Sequence, residues 1–393
     1  MGLAGGLLAV SLTGCGAAAG AADSNQLDQA AATASASTSA PPRSFSVLVS
    51  GDPLLHTDFF DQAAKDAAVT GNYPMDFAPL MANTKSVVES ADLAICHLET
   101  ALAPDEGPFS GYPLFESPPQ IIDALKQTGY DFCTTASNHT LDAGADGIDR
   151  TLNKLDQDGI GHTGSARSQA EADTPSITTV NTANGPVKVG NLAYAFGFNG
   201  LDYPDGQTWR ANKIDVPTIL AKAKQLRADG ADVVILNMHW GTEYQAQPDA
   251  EQLDWAQQLT ASPDIDIILG GHGHVVQPIT NVNNKWVVYG TGNMFACHRD
   301  FGDPDEEGLM AKFTFTERPN GGGFDTSKAE YLPILATCTL DGGDTRVMNI
   351  PAALASGDYG AYGKDRLELA EQRTTETVNS LGGAVAGLQQ LQQ

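Results

Sequence analysis

Short apolar runs that end abruptly in glycine and histidine constrain the fold of this chain more than any other feature. Val233 to Leu236 leads into Asn-Met-His-Trp-Gly-Thr-Glu-Tyr at 237–244, and Ile265 to Leu269 leads into Gly-Gly-His-Gly-His-Val-Val-Gln-Pro at 270–278. Buried strands deliver polar side chains in this way to the carboxyl edge of a sheet, where open α/β folds bind ligands. The pattern therefore predicts an α/β fold with a site at its strand ends.

Three further polar clusters follow apolar runs in the same manner. They are Asp52 with His56, His97-Leu98-Glu99 and Ser137-Asn138-His139. Taken alone, His239 is better explained as a hydrogen-bonded core histidine, and His272-Gly273-His274 could be a glycine-rich turn. Taken together, several unrelated strands would have to end in metal-ligand residue types by coincidence, so we predict a metal centre.

Hydrophobic periodicity predicts strands and helices that alternate along most of the chain. The predicted strands are 45–50, 92–96, 130–135, 177–180, 187–196, 233–238, 265–269, 286–289 and 309–315. The predicted helices are 77–89, 117–129, 145–158, 216–228 and 249–260, with a polar helix at 364–381. This mixture predicts two packed sheets, part parallel and part antiparallel, with helices outside.

The first 43 residues have the composition of a processing segment and a stalk. An apolar stretch at 3–12 leads into Leu12-Thr13-Gly14-Cys15, which is typical of a lipoprotein signal with Cys15 as the lipidated residue. Residues 16–43 are rich in Ala, Ser and Thr without a periodic apolar face, which indicates a flexible stalk. We therefore expect a signal at 1–15, a stalk at 16–43, a folded domain at 44–340 and an extension at 341–393.

The net charge and the cysteine spacing exclude some classes of binding partner and of site. A net charge of -26 argues against a nucleic-acid-binding surface, which needs clustered Lys and Arg. The expected partner is the bacterial membrane, through the lipid anchor on its extracellular face. The remaining cysteines (Cys96, Cys133, Cys297 and Cys338) form no Cys-x-x-Cys pair, and a disulfide among them is permitted but not implied.

The ordered series of motifs resembles the CapA family of bacterial capsule and poly-γ-glutamate synthesis proteins. The motifs are Gly51-Asp52, His97-Leu98-Glu99, Ser137-Asn138-His139 with Asp142 and Gly144, His239-Trp240-Gly241 with Glu243 and Tyr244, and Gly271-His272 with His274, Gln277 and Pro278. The resemblance covers about residues 44 to 335. It implies a calcineurin-like metallophosphoesterase fold, which is a four-layer α/β/β/α sandwich of two mixed sheets.

The resemblance also implies roles for individual residues. Asp52 and Glu99 are the expected bridging carboxylates, with His56 and His274 on one ion and Asn138, His239 and His272 on the other. His139 matches the position that protonates a leaving group, and Asp142 and Glu243 are expected to accept hydrogen bonds from the histidines. One or two divalent ions are expected, chosen from Mn, Fe, Zn and Mg.

The chain departs from the family pattern at several positions. Asp52 and His56 are separated by three residues, Glu99 stands where metallophosphoesterases usually have Asp, and His97 stands where related chains often have Asn. Two functions remain open. One is a lipid-anchored, metal-dependent hydrolase of a phosphoester or an amide, and the other is a non-catalytic assembly or anchoring component with a structural or vestigial metal site. A solute- or metal-binding lipoprotein is a third, weaker alternative.

Overall fold

Two β-sheets packed face to face form the centre of the protein, in a computed structural model that describes residues 41–296, 303–319, 321–336 and 343–392. The predicted signal, Cys15 and nearly all of the predicted stalk lie outside the described residues. Arg43, at the predicted end of the stalk, bonds to Asp232 and Glu317 on the folded domain.

The strands, numbered in chain order, are β1 Ser44–Ser50, β2 Asp52–Pro53, β3 Leu93–His97, β4 Phe132–Thr134, β5 Gly161–Thr163, β6 Ile177–Thr182, β7 Gly185–Ala195, β8 Val233–His239, β9 Ile267–Gly271, β10 Ile279–Val282, β11 Lys285–Val288, β12 Asn293–Phe295, β13 Glu307–Glu317, β14 Phe324–Leu335, β15 Met348–Asn349 and β16 Leu388–Gln390. The helices are α1 Thr57–Thr70, α2 Lys85–Val88, α3 Gln120–Thr128, α4 Gly144–Gln157, α5 Gln169–Asp173, α6 Val216–Ala228, α7 Ala250–Thr260, α8 Ile350–Ser356, α9 Lys364–Asn379 and α10 Gly383–Ala386.

Both large sheets are mixed. The first has the order β15-β14-β13-β1-β3-β4-β5, with β16 also paired to β14, and the second has the order β10-β11-β9-β8-β7-β6. In the first sheet β1, β3, β4 and β5 run parallel, while β13 is antiparallel to β1. In the second sheet β7, β8, β9 and β11 run parallel. A short third pairing joins β2 to β12.

Alternation along the strands builds four layers. In β1, Val47 and Val49 join the core between the two sheets, while Leu48 packs in the core formed with α1, α3 and α4. In β8, Ile235 faces the core between the sheets, while Leu236 packs with α6 and α7. Helices therefore cover the outer face of each sheet, and the predicted α/β/β/α sandwich of two mixed sheets is confirmed.

Parallel strands of both sheets end at the same edge of the sandwich. Asp52 follows β1, Glu99 follows β3 and Asn138 follows β4, while His239 ends β8 and His272 follows β9. Because side chains beyond parallel strands meet at the carboxyl edge, this topology brings residues that are far apart in the chain together.

The predicted helix 77–89 is wrong in extent. The structure has a 3₁₀ turn at Ala78–Met81 and the four-residue helix α2, and Thr84 Oγ1 donates to Met81 O between them. Pro79 stands near the start of the turn, and a side-chain hydroxyl bonded to the backbone competes with regular helix.

Two long elements, α1 and β14, were not predicted. Helix α1 buries Phe59, Ala63 and Ala67 at helical spacing and ends at Gly71, which adopts a left-handed conformation with φ 85°. Strand β14 pairs along its whole length with β13, although its first half is polar and it contains Pro333. Its pairing with the preceding strand β13, rather than alternation within its own sequence, accounts for this strand.

The C-terminal residues pack onto the first sheet. Helices α8 and α9 bury Ile350, Leu367 and Ala370 against Leu335 and Met348. Helix α9 lies within the predicted polar helix. Among the described residues no helix combines the length and the apolar character needed to cross a bilayer.

Cys96 and Cys133 form a disulfide between neighbouring strands. They are register partners in the parallel pair β3–β4, with Cα atoms 4.5 Å apart. The sequence left this pairing open because each Cys could equally have been a small buried hydrophobe. Cys297 and Cys338 lie outside the described residues.

Candidate metal centre

Asp52 joins the two sheets at the carboxyl edge. Its side chain is 1% exposed, and Oδ2 accepts a hydrogen bond of 2.8 Å from the backbone N–H of His272. Oδ1 is buried and has no hydrogen-bond partner within the described part of the chain. Gly271 permits this approach, because a Cβ atom there would lie 2.5 Å from Asp52 Oδ1.

Glu99 lies at the middle of the cluster. It is completely buried, and neither carboxylate oxygen has a hydrogen-bond partner among the described residues. Oε1 is 3.8 Å from His239 Nε2 and 4.0 Å from His274 Nε2. Burial, followed by the nearby carboxylates of Asp52 and Glu243, raises the pKa of Glu99 well above its usual value. A buried carboxylate without a partner is costly, and coordination of a cation removes that cost.

Potential ligand atoms form three overlapping groups in the described residues, each with its atoms within 4.8 Å of one another. The groups are Glu99 with His239 and His272, Asp52 with Glu99 and His274, and Glu243 with His272 and His274. The first two groups share Glu99. His239 and His272 lie in one of these groups and His274 lies in the other.

Asn138 supplies an amide oxygen beside the first group. Asn138 Oδ1 lies 2.9 Å from His239 Nε2, and its Nδ2 donates to Asn199 Oδ1 over 3.3 Å. Asn138 follows a strand of the first sheet and His239 ends a strand of the second. The structure therefore brings the predicted ligands Asp52, Glu99, Asn138, His239, His272 and His274 together.

The clustered histidines are held neutral. Burial, reinforced by neighbouring histidines, lowers the pKa of His239 and of His272 well below the usual value, and burial lowers the pKa of His274 to about 4. A neutral imidazole keeps the lone pair that coordination requires.

Two residues outside the predicted ligand set orient the histidines. His97 Nε2 lies 2.8 Å from His239 Nδ1, and Asn293 Oδ1 lies 3.0 Å from His274 Nδ1. Each contact occupies one ring nitrogen of a candidate ligand and leaves Nε2 facing the carboxylates. The sequence showed His97 as a strand-end polar residue, but neither contact was predicted.

The backbone is strained at the site. His272 has φ 93°, His274 has φ 55° and Tyr244 has φ 61°. Non-glycine residues rarely adopt positive φ, and such strain concentrates at functional sites.

His56 is the predicted ligand that the structure places apart. It precedes α1, and its ring lies 5.3 Å from that of Phe115 in an edge-on contact. None of the three ligand groups found in the described residues includes it. The wider spacing between Asp52 and His56 puts a short turn between them, with His56 N donating to Leu54 O.

His139 forms a pair with Asp142 beside the cluster. His139 Nδ1 lies 2.7 Å from Asp142 Oδ2, which also accepts a 2.8 Å hydrogen bond from the backbone N–H of Phe115. The Phe115 ring packs edge-on against His139 at 4.7 Å. Phe115 belongs to the loop at 103–116, whose role the sequence left open between a substrate lid and a surface loop. The ring of Phe115 in this loop forms part of the wall of the site.

Glu243 lies at the mouth of the site. Its Oε1 is 3.9 Å from His272 Nε2, and its side chain is 44% exposed. That distance is longer than a hydrogen bond, so Glu243 stands in ligand range rather than as the hydrogen-bond acceptor that the sequence suggested. Phe196 packs against His272 on the same side, with ring centroids 4.5 Å apart.

The donor set fits a divalent cation. Carboxylate and amide oxygens suit hard ions such as Mg and Mn, and imidazoles suit Zn and Fe. Three buried carboxylate oxygens, one on Asp52 and two on Glu99, lack hydrogen-bond partners in the described residues and would be satisfied by coordination.

Comparison with known proteins agrees with this geometry. The profile of the family described as bacterial capsule synthesis protein PGA_cap matches residues 46–297, which carry every clustered residue. The chain belongs to the PGA_cap family. The match covers more than half of the chain and confirms the family that the motifs indicated.

Curated relatives of this PGA_cap protein are named for polymer synthesis. The PGA biosynthesis protein CapA of Bacillus subtilis is 27% identical over 178 residues, which is 44% of this chain and 44% of the relative. A probable polyglutamine synthesis accessory protein of Mycobacterium tuberculosis is 24% identical over 243 residues, which is 58% of this chain and 62% of the relative. The chain thus matches about half of the length of these relatives.

Solved structures similar to the PGA_cap protein include the calcineurin-like phosphoesterase YfkN of Bacillus subtilis. That likeness has a TM-score of 0.45 and 16% identity, and covers 86% of this chain and 98% of the other. A putative 5'-nucleotidase of Staphylococcus aureus has a TM-score of 0.47 and 16% identity, over 74% of this chain and 54% of the other.

Proposed function

We propose that this PGA_cap protein is a metal-dependent hydrolase of the phosphoesterase type that serves capsule or poly-γ-glutamate synthesis. The observation that carries the proposal is the pair of ligand groups that share the buried, unbonded carboxylate of Glu99, with the His139–Asp142 pair beside them. One or two divalent ions, chosen from Mn, Fe, Zn and Mg, would be held by Asp52, Glu99, Asn138, His239, His272 and His274. His56 would join them only after its side chain turned away from Phe115.

In the proposed reaction, His139, Asp142 and Phe115 each have a separate role. When bound, the cations supply Lewis-acid polarisation of a substrate oxygen and activation of a water molecule. Asp142 accepts the Nδ1 proton of His139 and so fixes its tautomer, which leaves His139 Nε2 to exchange a proton with the leaving group. Phe115 packs on His139 and excludes water from one side of that ring.

The substrate class is a phosphoester or a γ-glutamyl amide. A trifunctional nucleotide phosphoesterase of Bacillus subtilis, YfkN, is 28% identical to this chain over 172 residues, although this is 11% of that protein. The names of the polymer-synthesis relatives support an amide of poly-γ-glutamate instead. At a net charge of -26 the surface repels a polyanion, so contact with such a polymer would be local, at the cations.

A second candidate is an assembly component without turnover. The family description and the relatives' names concern synthesis rather than hydrolysis, and the accessory protein of Mycobacterium tuberculosis is named as such. In this role the cations would hold the two sheets together at their carboxyl edge, and membrane proteins of polymer synthesis would be the partners.

Metal analysis and a substrate screen together test the proposed hydrolase. We expect the purified protein to bind a divalent ion, and His239→Ala or His272→Ala to lose both the ion and turnover while circular dichroism shows the fold retained. Full metal occupancy in either variant would contradict the assigned ligands. Metal binding by the wild-type protein without turnover of any phosphoester or γ-glutamyl substrate would favour the assembly component.

The location of the protein is proposed from the N-terminal sequence. Leu12-Thr13-Gly14-Cys15 and the stalk after it support lipidation at Cys15 and anchoring on the extracellular face of the cell membrane. Cell fractionation of Cys15→Ser tests this, and we expect the variant to leave the membrane fraction. Retention equal to that of the wild-type protein would refute the anchor.

A further inference from the structure

His97 forms a bridge between the two sheets directly beneath the metal centre. It ends β3, with Nδ1 2.7 Å from Thr134 Oγ1 and Nε2 2.8 Å from His239 Nδ1. The two imidazole rings stack with centroids 4.8 Å apart, and both are buried. Each ring nitrogen of His97 thus has a partner that can act as donor or acceptor.

One proton arrangement fits these contacts when no cation is present. His239 Nε2 lies 2.9 Å from Asn138 Oδ1, which can only accept, so the His239 proton is on Nε2. His239 Nδ1 then accepts from His97 Nε2–H, and His97 Nδ1 accepts from the Thr134 hydroxyl. In this arrangement each ring carries one proton, and every ring nitrogen of the two histidines has a hydrogen-bond partner of the matching kind.

A cation at His239 Nε2 needs the opposite arrangement. The lone pair on Nε2 must point to the ion, so the His239 proton moves to Nδ1 and is donated to His97 Nε2. The proton of His97 then lies on Nδ1, where Thr134 Oγ1 accepts it. The proton displaced from His239 Nε2 leaves to solvent, and one proton enters at Thr134, so each ring holds one proton in both states.

We propose that His97 is a positioning residue whose reversible hydrogen bond to His239 allows His239 to switch tautomer and coordinate a cation. The inference rests on the metal site of the proposed function. A cavity of about 10 Å³, lined by residues that include His97, Thr134 and His239, has room for one water molecule beside these hydrogen bonds.

Zinc titration of matched variants tests the role of His97. We expect His97→Phe, which keeps a ring but loses both nitrogens, to weaken zinc binding by about 10- to 100-fold, as removal of a ligand's outer partner does. His97→Gln, whose amide can donate or accept near the position of Nε2, should recover most of the affinity. His162→Phe is the control, since His162 bonds to Asp156 outside the metal centre.

The second test measures which ring nitrogen of His239 carries the proton. A purely structural role of His97 predicts no change in that position when zinc binds. Nitrogen-15 NMR of histidine-labelled protein should show His239 protonated on Nε2 without zinc and on Nδ1 with zinc. Thermal unfolding of each metal-free variant checks that the fold is intact. Thr134→Val removes the hydroxyl that bonds to His97 Nδ1 but keeps the bond between His97 and His239. It should therefore weaken zinc binding less than His97→Phe.

The outcomes separate the inference from the proposed function. Equal zinc affinity in His97→Phe and the wild-type protein, or one unchanged His239 tautomer with and without zinc, overturns the role of His97. Zinc binding with the expected tautomer switch but without hydrolysis overturns the hydrolase alone. Absence of zinc binding by the folded wild-type protein overturns both.

Discussion

At the scale of single residues, the site depends on side chains that are buried without their usual partners. Glu99 has both oxygens unbonded within the described residues, and Asp52 has one. Burying a carboxylate oxygen without a hydrogen bond lowers the stability of the fold. The presence of three such oxygens at one edge therefore indicates a cation that coordinates them. The histidines around these carboxylates are neutral, because burial disfavours the charged imidazolium and so lowers the pKa of His239 and His272.

His139 should affect turnover without affecting the cation. A positioned general acid contributes about 10²–10⁴-fold in rate, so His139→Ala should lose roughly that factor on a substrate with a poor leaving group. A substrate with a good leaving group needs little protonation and should lose much less. Metal content, measured by atomic emission, should stay near normal. Equal losses on both substrates would rule out the role of His139 as acid.

Gly271 should tolerate no side chain. A Cβ atom there would lie 2.5 Å from Asp52 Oδ1, so Gly271→Ala displaces that carboxylate and should cost about 1–3 kcal/mol in the free energy of unfolding, together with cation affinity. Gly273→Ala is the matched control, since its Cβ would meet nothing nearer than 3.6 Å. Urea unfolding and zinc titration of both variants check this. Similar affinities in the two variants would contradict it.

At the scale of elements, α9 neutralises a carboxylate that β13 buries. Glu307 is 3% exposed at the start of β13 and is bonded by Arg366 over 2.6 Å and by Arg373, both on α9. The strand begins at the edge of the sheet that carries the site, where Gly308 bridges to Gly292 next to Asn293. The C-terminal helix therefore supports the strand that backs the metal centre.

Removal of both arginines should destabilise the whole fold. We expect Arg366→Met combined with Arg373→Met to lower the free energy of unfolding by about 3–5 kcal/mol, because Glu307 would be left buried without its cations. Lys364→Met, on the same helix, loses an exposed pair with Glu368 and should change stability by about 1 kcal/mol or less. Urea unfolding measures both. A double variant as stable as Lys364→Met would refute this role of α9.

At the scale of the whole molecule, stability should depend on pH through the site. Burial lowers the pKa of His97 and His274 to about 4, below the unfolded value of about 6.5. Their contribution is present above pH 6.5 and is lost as the pH falls through 4. Burial raises the pKa of Asp52 to about 7, so its contribution is present below about pH 4 and is lost as the pH rises through 7.

A divalent cation should stabilise the molecule more at neutral than at acid pH. Above pH 7 the cation compensates the charge of Asp52 and binds neutral imidazoles, whereas protons compete for those imidazoles as the pH falls. The rise in Tm on addition of zinc should therefore be larger at pH 7.5 than at pH 5, as measured by calorimetry. His239→Ala should show little rise at either pH. An equal rise for the wild-type protein at both values would count against a site built from histidines.

The sequence by itself determined the local elements and the types of residue at the site. Short apolar runs identified strands such as β1 and β8, and hydrophobic periodicity predicted a helix at 249–260, where α7 lies, because these signals depend on near neighbours. Local signals were insufficient for β14, which pairs with β13, and for 77–89, where a hydroxyl and a proline interrupt the helix.

Only the tertiary structure decided which of those residues meet. It placed Glu99 between two ligand groups, His97 against His239 and Asn293 against His274, and it kept His56 beside Phe115. It also paired Cys96 with Cys133 across neighbouring strands. These contacts join segments that are far apart in the chain, 142 residues in the case of His97 and His239. Such contacts depend on how two sheets pack, and periodicity within one segment carries no information about the register between sheets.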